Sequence, residues 1–219
     1  MADVEYFVEA YPGSDLEKKI MAKKTELIET LGTELVDNAK LTKFLRDTPH
    51  FTLQVANAKD FEAMLDAYRN VAGACDPITY EIVELGYEVK GGFVEVHSVP
   101  HPDHAAGFKN LHLAIIKASR PHLSEQFTRM FDPAKLSGEF ADNVRYCHFG
   151  PSRRLYRPHA SVGRFAPQVM GSVSARLTPD VYQTNGTYVA PELRIWKYVP
   201  GDPTFRTVDE PIVIPLGMK

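Results

Sequence analysis

The chain has 219 residues, enough for one sizeable domain or for two small lobes sharing an interface. With 44% hydrophobic and 24% charged residues, its composition is that of a folded globular protein and excludes a disordered one. The formal net charge of −3 argues against a general binder of long nucleic acid, which would carry a basic excess, while a few local arginines would suffice to hold a small anion.

The first predicted element is a strand at residues 4–11, VEYFVEAY, where β-formers alternate. PGSDLEKKIMAKKTELIETLG then reads as a helix. Ser14 and Glu17 have capping-box spacing, Leu16, Ile20, Leu27 and Leu31 keep a helical period, and Gly32 is the expected stop. A strand at 50–55 follows, then a helix from about 57 to 72 with Phe61, Leu65, Tyr68 and Val71 or Ala72 on one face, ending at Gly73. ITYEIVELGYEVKGGFVEVHSV reads as two strands joined by a tight turn at Gly91-Gly92. DHAAGFKNLHLAIIKA is a helix with Phe108, Leu111 and Ile115 inward. Residues 119–157 are mostly turns and polar clusters, with SEQFTRMF as a candidate short helix. Strands at 159–165 and 192–199 and the apolar run PIVIPL complete the chain. The pattern predicts one compact mixed α/β domain of two similar halves.

No basic stretch followed by an apolar one opens the sequence, and no run approaches the roughly 18 apolar residues of a membrane span. Cys75 and Cys147 share no motif spacing and make no disulfide framework. The expectation is a cytoplasmic protein without membrane association.

Two strands break their apolar runs in the same way. In TPHFTLQV, His50 and Thr52 stand two apart after a proline; in RPHASVGRF, His159 and Ser161 do the same. Residues i and i+2 of a strand share a face, so each strand offers one imidazole and one hydroxyl, backed by Phe51 and Leu53 or by Ala160 and Val162. The spacing also occurs at His122 and Ser124, but there Glu125 replaces the apolar residue and Ser124 suits a helix cap, which marks it as an accident. Two histidines across a cleft form an acid–base pair near neutral pH, and two hydroxyls can donate hydrogen bonds to a phosphoryl group. The arrangement demands no metal and no cofactor. His97, His101 and His104 lie close together but lack the carboxylate or cysteine partners of a zinc site. His112 and His148 have no sequence context.

The paired motifs HFTL (50–53) and HASV (159–162) resemble the two His-x-Thr/Ser-x signatures of the 2H phosphoesterase superfamily, which includes RNA 2′,3′-cyclic phosphodiesterases and 2′-5′ RNA ligase-like proteins. The order of the surrounding strands and helices is similar over most of the chain, although only the signatures are specific. The resemblance implies an α+β bilobal fold, one domain over residues 1–219, with a signature from each lobe facing a central cleft. It implies His50 and His159 as general base and acid, in an order left open, with Thr52 and Ser161 on the phosphate. The long segment 119–157 departs from a minimal member and suggests an added lid or loop. Ser161 stands where threonine is more frequent.

Substrate-binding candidates lie just before the second signature, in FGPSRRLYRPH. Arg153, Arg154 and Arg157 are possible anion partners, and Tyr156 and Phe149 could stack on a base; Tyr11 and Trp196 or Tyr198 are weaker candidates of the same kind. The expected activity is metal-independent hydrolysis of 2′,3′-cyclic phosphates on nucleotides or short RNA ends. The alternatives are a hydrolase of another phosphodiester, such as a 2′,5′-linked or cyclic oligonucleotide or an RNA 3′ end, and a non-catalytic nucleotide-binding module on the same fold.

Overall fold

Alternation of apolar and polar residues produces the first strand, β1 (Val4–Ala10), in which Tyr6, Val8 and Ala10 are fully buried on one side. The computed structural model describes residues 3–35, 48–90, 93–128, 130–176, 187–200 and 210–218. After β1 come α1 (Ser14–Leu35), β2 (Phe51–Ala58), α2 (Phe61–Ala74), β3 (Ile78–Tyr80), β4 (Ile82–Lys90), β5 (Phe93–Pro100) and α3 (Pro102–Ser119). The chain continues with α4 (Gly138–Cys147), β6 (Ala160–Phe165), α5 (Met170–Ser174), β7 (Tyr188–Ala190), β8 (Glu192–Lys197) and β9 (Ile212–Pro215).

Seven strands form one sheet in the order β4-β5-β6-β2-β1-β8-β9, and each neighbouring pair is antiparallel. The small pair β3–β7 stands apart from it. The large sheet has two halves, β9-β8-β1-β2 and β6-β5-β4. They meet where the two signature strands pair, at the single register pair Phe51–Ala160.

Each signature strand carries a β-bulge directly after its hydroxyl residue. On β2, Thr52 pairs with Glu9 and Gln54 with Val8, which leaves Leu53 as the extra residue. On β6, Ser161 pairs with His97 and Gly163 with Val96, which leaves Val162 as the extra residue. Each bulge shifts the alternation by one and turns the residues beyond it to the opposite face. Gln54 thereby points into the core and Arg164 joins the face of Ser161.

The core lies on the side of Phe51 and Ala160. Phe51 packs against Phe108 of α3 (centroids 4.3 Å apart) and Tyr80 (5.3 Å), and Tyr6 packs edge-on against Phe61 of α2. Leu16, Ile20 and Leu27 of α1 are fully buried, as the helical period predicts; the side chain of Leu31 lies outside the described residues. The Gly91-Gly92 turn does too, although Lys90 pairs with Phe93 across it. Among the described residues no helix is long and apolar enough to cross a membrane.

Three boundaries differ from the sequence-based expectation. α1 runs through Gly32 to Leu35, since one glycine costs a helix only about 1 kcal/mol. α2 begins at Phe61, because β2 continues to Ala58 and Asp60 caps the helix by accepting a hydrogen bond from the Ala63 N–H. In the segment 119–157, the described residues of SEQFTRMF form no helix; the α-helix there is α4, whose buried Ala141, Val144 and Cys147 are too small to announce it in sequence.

That segment is tied to the core side of β2. The Gln54 side chain donates to the Cys147 carbonyl and accepts from the hydroxyls of Tyr68 and Ser119, all inside the core. His112, fully buried, donates from Nδ1 to the carbonyl of the bulge residue Leu53 and accepts at Nε2 the N–H of Arg153, which takes a left-handed backbone (φ 56°). One neutral imidazole thus joins the first signature strand to the segment that leads into the second.

Burial lowers the pKa of His112 from 6.5 to about 4, and burial lowers that of His148 as well. Above pH 6.5 the ring is neutral in folded and unfolded chains alike; between 6.5 and 4 only the unfolded chain binds the proton, so acid favours unfolding. The predicted loss over that window is on the order of 3 kcal/mol from His112. Urea melts from pH 7 to pH 4 should show this decline. His112→Leu, though less stable at pH 7, should show a much shallower one.

Candidate active site

Phe51 and Ala160 are fully buried, so the residues flanking them on their strands point to the opposite face. His50, Thr52, His159 and Ser161 therefore share one face at the centre of the sheet, and all four are half-buried. Continued by one residue each way, the antiparallel register sets His50 across from Ser161 and Thr52 across from His159. The four form a two-fold pattern about the seam between the halves.

Both rings are held alike. His50 Nδ1 lies 3.0 Å from the Thr48 carbonyl oxygen, and His159 Nδ1 lies 2.8 Å from that of Arg157, in each case two residues back. A carbonyl only accepts, so the Nδ1 proton is fixed in both rings and Nε2 is the nitrogen that exchanges protons. The buried prolines Pro49 and Pro158 stiffen the turn between each carbonyl and its ring.

Around this pattern the two halves differ. Beside His50, the Glu9 carboxylate reaches within 3.5 Å of Nδ1 from β1, and Glu9 is 2% exposed. Phe7 lies 5.6 Å from the His50 ring, stacks on Trp196 of β8 and meets Tyr198 at a tilt, so this side carries an aromatic wall. Beside His159 the surroundings are polar. His97 of β5 sits 4.7 Å from it, ring to ring, in space left by Gly86, where a Cβ would come within 2.2 Å of the imidazole. Ser161 donates to Glu95 at 2.9 Å, and the other Glu95 oxygen lies 3.5 Å from Arg164, whose side chain is half exposed.

The expected substrate-binding residues are placed differently. Phe149 and Tyr156 are core residues: Tyr156 stacks on His112 at 3.9 Å and Phe149 packs edge-on against His112 and Phe131. Neither opens a ring to a base. Arg154 makes a two-pronged ion pair with Glu139, and Arg153 approaches the ring of Tyr146. Arg157 reaches the site through its carbonyl. Tyr11 is buried, its ring covered by the Arg194 guanidinium at 3.4 Å and its hydroxyl donating to Glu17. His101 caps α3 and His104 accepts the Glu81 N–H, so of that histidine group only His97 stands at the site.

Sequence reasoning missed Glu9, Glu95, His97, Arg164 and Phe7. Alternation from Ser161 sends Arg164 to the far side, and only the bulge at Val162 reverses that. Glu9 carries a weak signal: it alternates with Phe7 in β1, yet a glutamate there is sealed into a sheet face.

No family model matches the chain, and no curated protein matches its sequence. Solved structures do match its fold. E. coli LigT in apo form superimposes with a TM-score of 0.55 at 15% identity, covering 99% of both chains. E. coli LigT complexed with 3′-AMP gives 0.54 at 13% identity and the same coverage. A further structure, described as a phosphoesterase, gives 0.51 at 14% identity over 97% of this chain and 98% of its own. At these identities the likeness is one of fold, and it runs the length of the molecule: the chain has the LigT-like fold of the 2H phosphoesterases.

Proposed function

We propose that the chain is a phosphodiesterase that opens 2′,3′-cyclic phosphates on nucleotides or RNA ends by two-histidine acid–base catalysis without a metal. The observation that carries this reading is the pairing of His50 with His159 on one sheet face, each with Nδ1 committed to a carbonyl and each beside a hydroxyl.

The chemistry follows from that arrangement. One imidazole takes a proton at Nε2 from water as the water oxygen attacks phosphorus. The other gives its Nε2 proton to the departing ribose oxygen, so that one P–O bond forms and one breaks. The product is a phosphate monoester, and the two rings return to their starting states by exchange with solvent. Thr52, Ser161 and Arg164 face the position where charge builds on the non-bridging oxygens. Ser161 has a single proton, which it gives to Glu95 in this structure, so its hydroxyl must rotate to serve a phosphate. Phe7 and Trp196 offer an apolar wall suited to a nucleobase on the His50 side. LigT, similar in fold, has been solved with 3′-AMP and with phosphate, the kinds of ligand this chemistry requires.

The test is hydrolysis of the four 2′,3′-cyclic nucleotides in excess EDTA. Wild type should be active with a bell-shaped pH profile, and His50→Ala and His159→Ala should each lose about 10²- to 10⁴-fold in kcat/KM. Arg164→Ala and Thr52→Ala should cost about 10²-fold while the fold is retained. Turnover of 2′,5′-linked or cyclic oligonucleotides alone would move the substrate and keep the mechanism. Undiminished activity in either histidine variant would overturn it.

A further inference from the structure

On the helix side of the sheet, basic side chains from separate parts of the chain meet around one aromatic ring. Lys117 in the last turn of α3, Arg120 just beyond it and Tyr146 of α4 line an open cleft of about 510 Å³. The Arg120 guanidinium lies over the Tyr146 ring at 4.3 Å and that of Arg153 at 5.3 Å, so one ring holds two cations at the cleft. Lys117, Arg120 and Arg153 are exposed, and among the described residues none of them makes an ion pair. The carboxylates of α4 are taken by other arginines: Glu139 by both prongs of Arg154, with Arg153 a lesser influence, and Asp142 by Arg145 at 3.0 Å.

The negative end of α3 attracts cations, which accounts for Lys117 and Arg120. It does not account for Arg153, which arrives from another segment in a left-handed backbone (φ 56°) that an arginine adopts only where its surroundings impose it. Two fully buried side chains impose it here. His112 accepts the Arg153 N–H at Nε2, and Asn143 of α4 donates to the carbonyls of Gly150 and Ser152 just before it. Arg153 is thereby fixed beside Tyr146, which lies one turn beyond Asn143 on the same helix. In a chain of net charge −3, three cations gathered at one cleft form a local anion site. The Tyr146 ring is committed to guanidiniums, so the cleft reads charge and offers no platform for a base.

The cleft and the catalytic face lie on opposite sides of the sheet, since Phe108 of α3 packs against Phe51 from behind. They are linked by the segment 153–159, which spans at most about 20 Å and carries the exposed Arg157 between them. A single nucleotide at His50 and His159 is too small to reach round the sheet; a strand a few nucleotides long is not. We propose that the cleft is a second anion site, which holds backbone phosphates of a single-stranded RNA while its cyclic-phosphate end lies between His50 and His159. The choice of RNA rests on the phosphodiesterase reading, and the binding of a polyanion rests on the cleft alone. Its contacts are to phosphate, so they add affinity without sequence preference.

Two measurements on the full chain test it, comparing wild type with the double variant Lys117→Ala, Arg120→Ala. The variant should bind a 3′-phosphorylated RNA octanucleotide about tenfold more weakly. Its plot of log Kd against log salt should be shallower by about 1.4, as the loss of two phosphate contacts to a single strand requires. Arg120→Lys should keep most of the affinity. In hydrolysis, wild type should favour an octanucleotide ending in a 2′,3′-cyclic phosphate over 2′,3′-cyclic AMP, and the double variant should lose about tenfold in that ratio of kcat/KM. Equal affinity and an equal salt slope in wild type and variant would overturn the proposal. So would a variant that loses binding of inorganic tripolyphosphate but not of the octanucleotide, which would give the cleft to a small anion. A wild type that cleaves no diester would defeat the functional reading, and the binding comparison would still decide the role of the cleft.

Discussion

The pairing of Phe51 with Ala160 is the constraint on which the site depends. It is the one register pair joining the two halves of the sheet, and both of its residues are buried. Because strand neighbours face opposite ways, burying these two commits His50, Thr52, His159 and Ser161 to the other face. A slip of one residue at this seam would send the histidine and hydroxyl of the slipped strand into the core. The buried face behind them resists such a slip, since Phe51 is packed between Phe108 and Tyr80. The seam is braced from behind by His112, which holds the Leu53 carbonyl of one signature and the chain leading to the other.

The bulges give the pattern its second level of detail. An unbulged sheet would continue the same alternation outward and leave Arg164 with the core residues. The extra residue at Val162 brings it round to Glu95 and Ser161, and the extra residue at Leu53 sends Gln54 inward to fasten α2, α3 and α4. The outcome is a face that is symmetric at its centre and unequal at its edges. An aromatic wall of Phe7 and Trp196 lies on one side, and Arg164, Glu95 and His97 lie on the other. Such a face has a direction, which suits a substrate with an apolar base at one end and a charged ester in the middle.

Much of this was legible in the sequence because it follows from period and spacing. The two His-x-Thr/Ser strands, the helices around Leu16 and Phe108 and the order of the elements all follow from alternation or from a 3.6-residue repeat. What was not legible depends on register. No local signal marks Leu53 or Val162 as bulged, so strict alternation would place Arg164 with the core residues, and nothing in the spacing singles out Glu9. Arg153, Arg154, Phe149 and Tyr156 are a different case. They lie close to His159 in sequence, but Phe149 and Tyr156 are buried beside His112 and Arg154 pairs with Glu139 at the surface. Nearness along the chain stood in for nearness on a face.

The central claim is that the two signature strands build one anion site between them. The most direct measurement is an NMR titration of the wild-type chain with inorganic phosphate, following the ring signals of His50 and His159 together. The account predicts that both rings respond along a single saturation curve, with one phosphate bound per chain. Responses at separate concentrations, or a response from one ring alone, would contradict it.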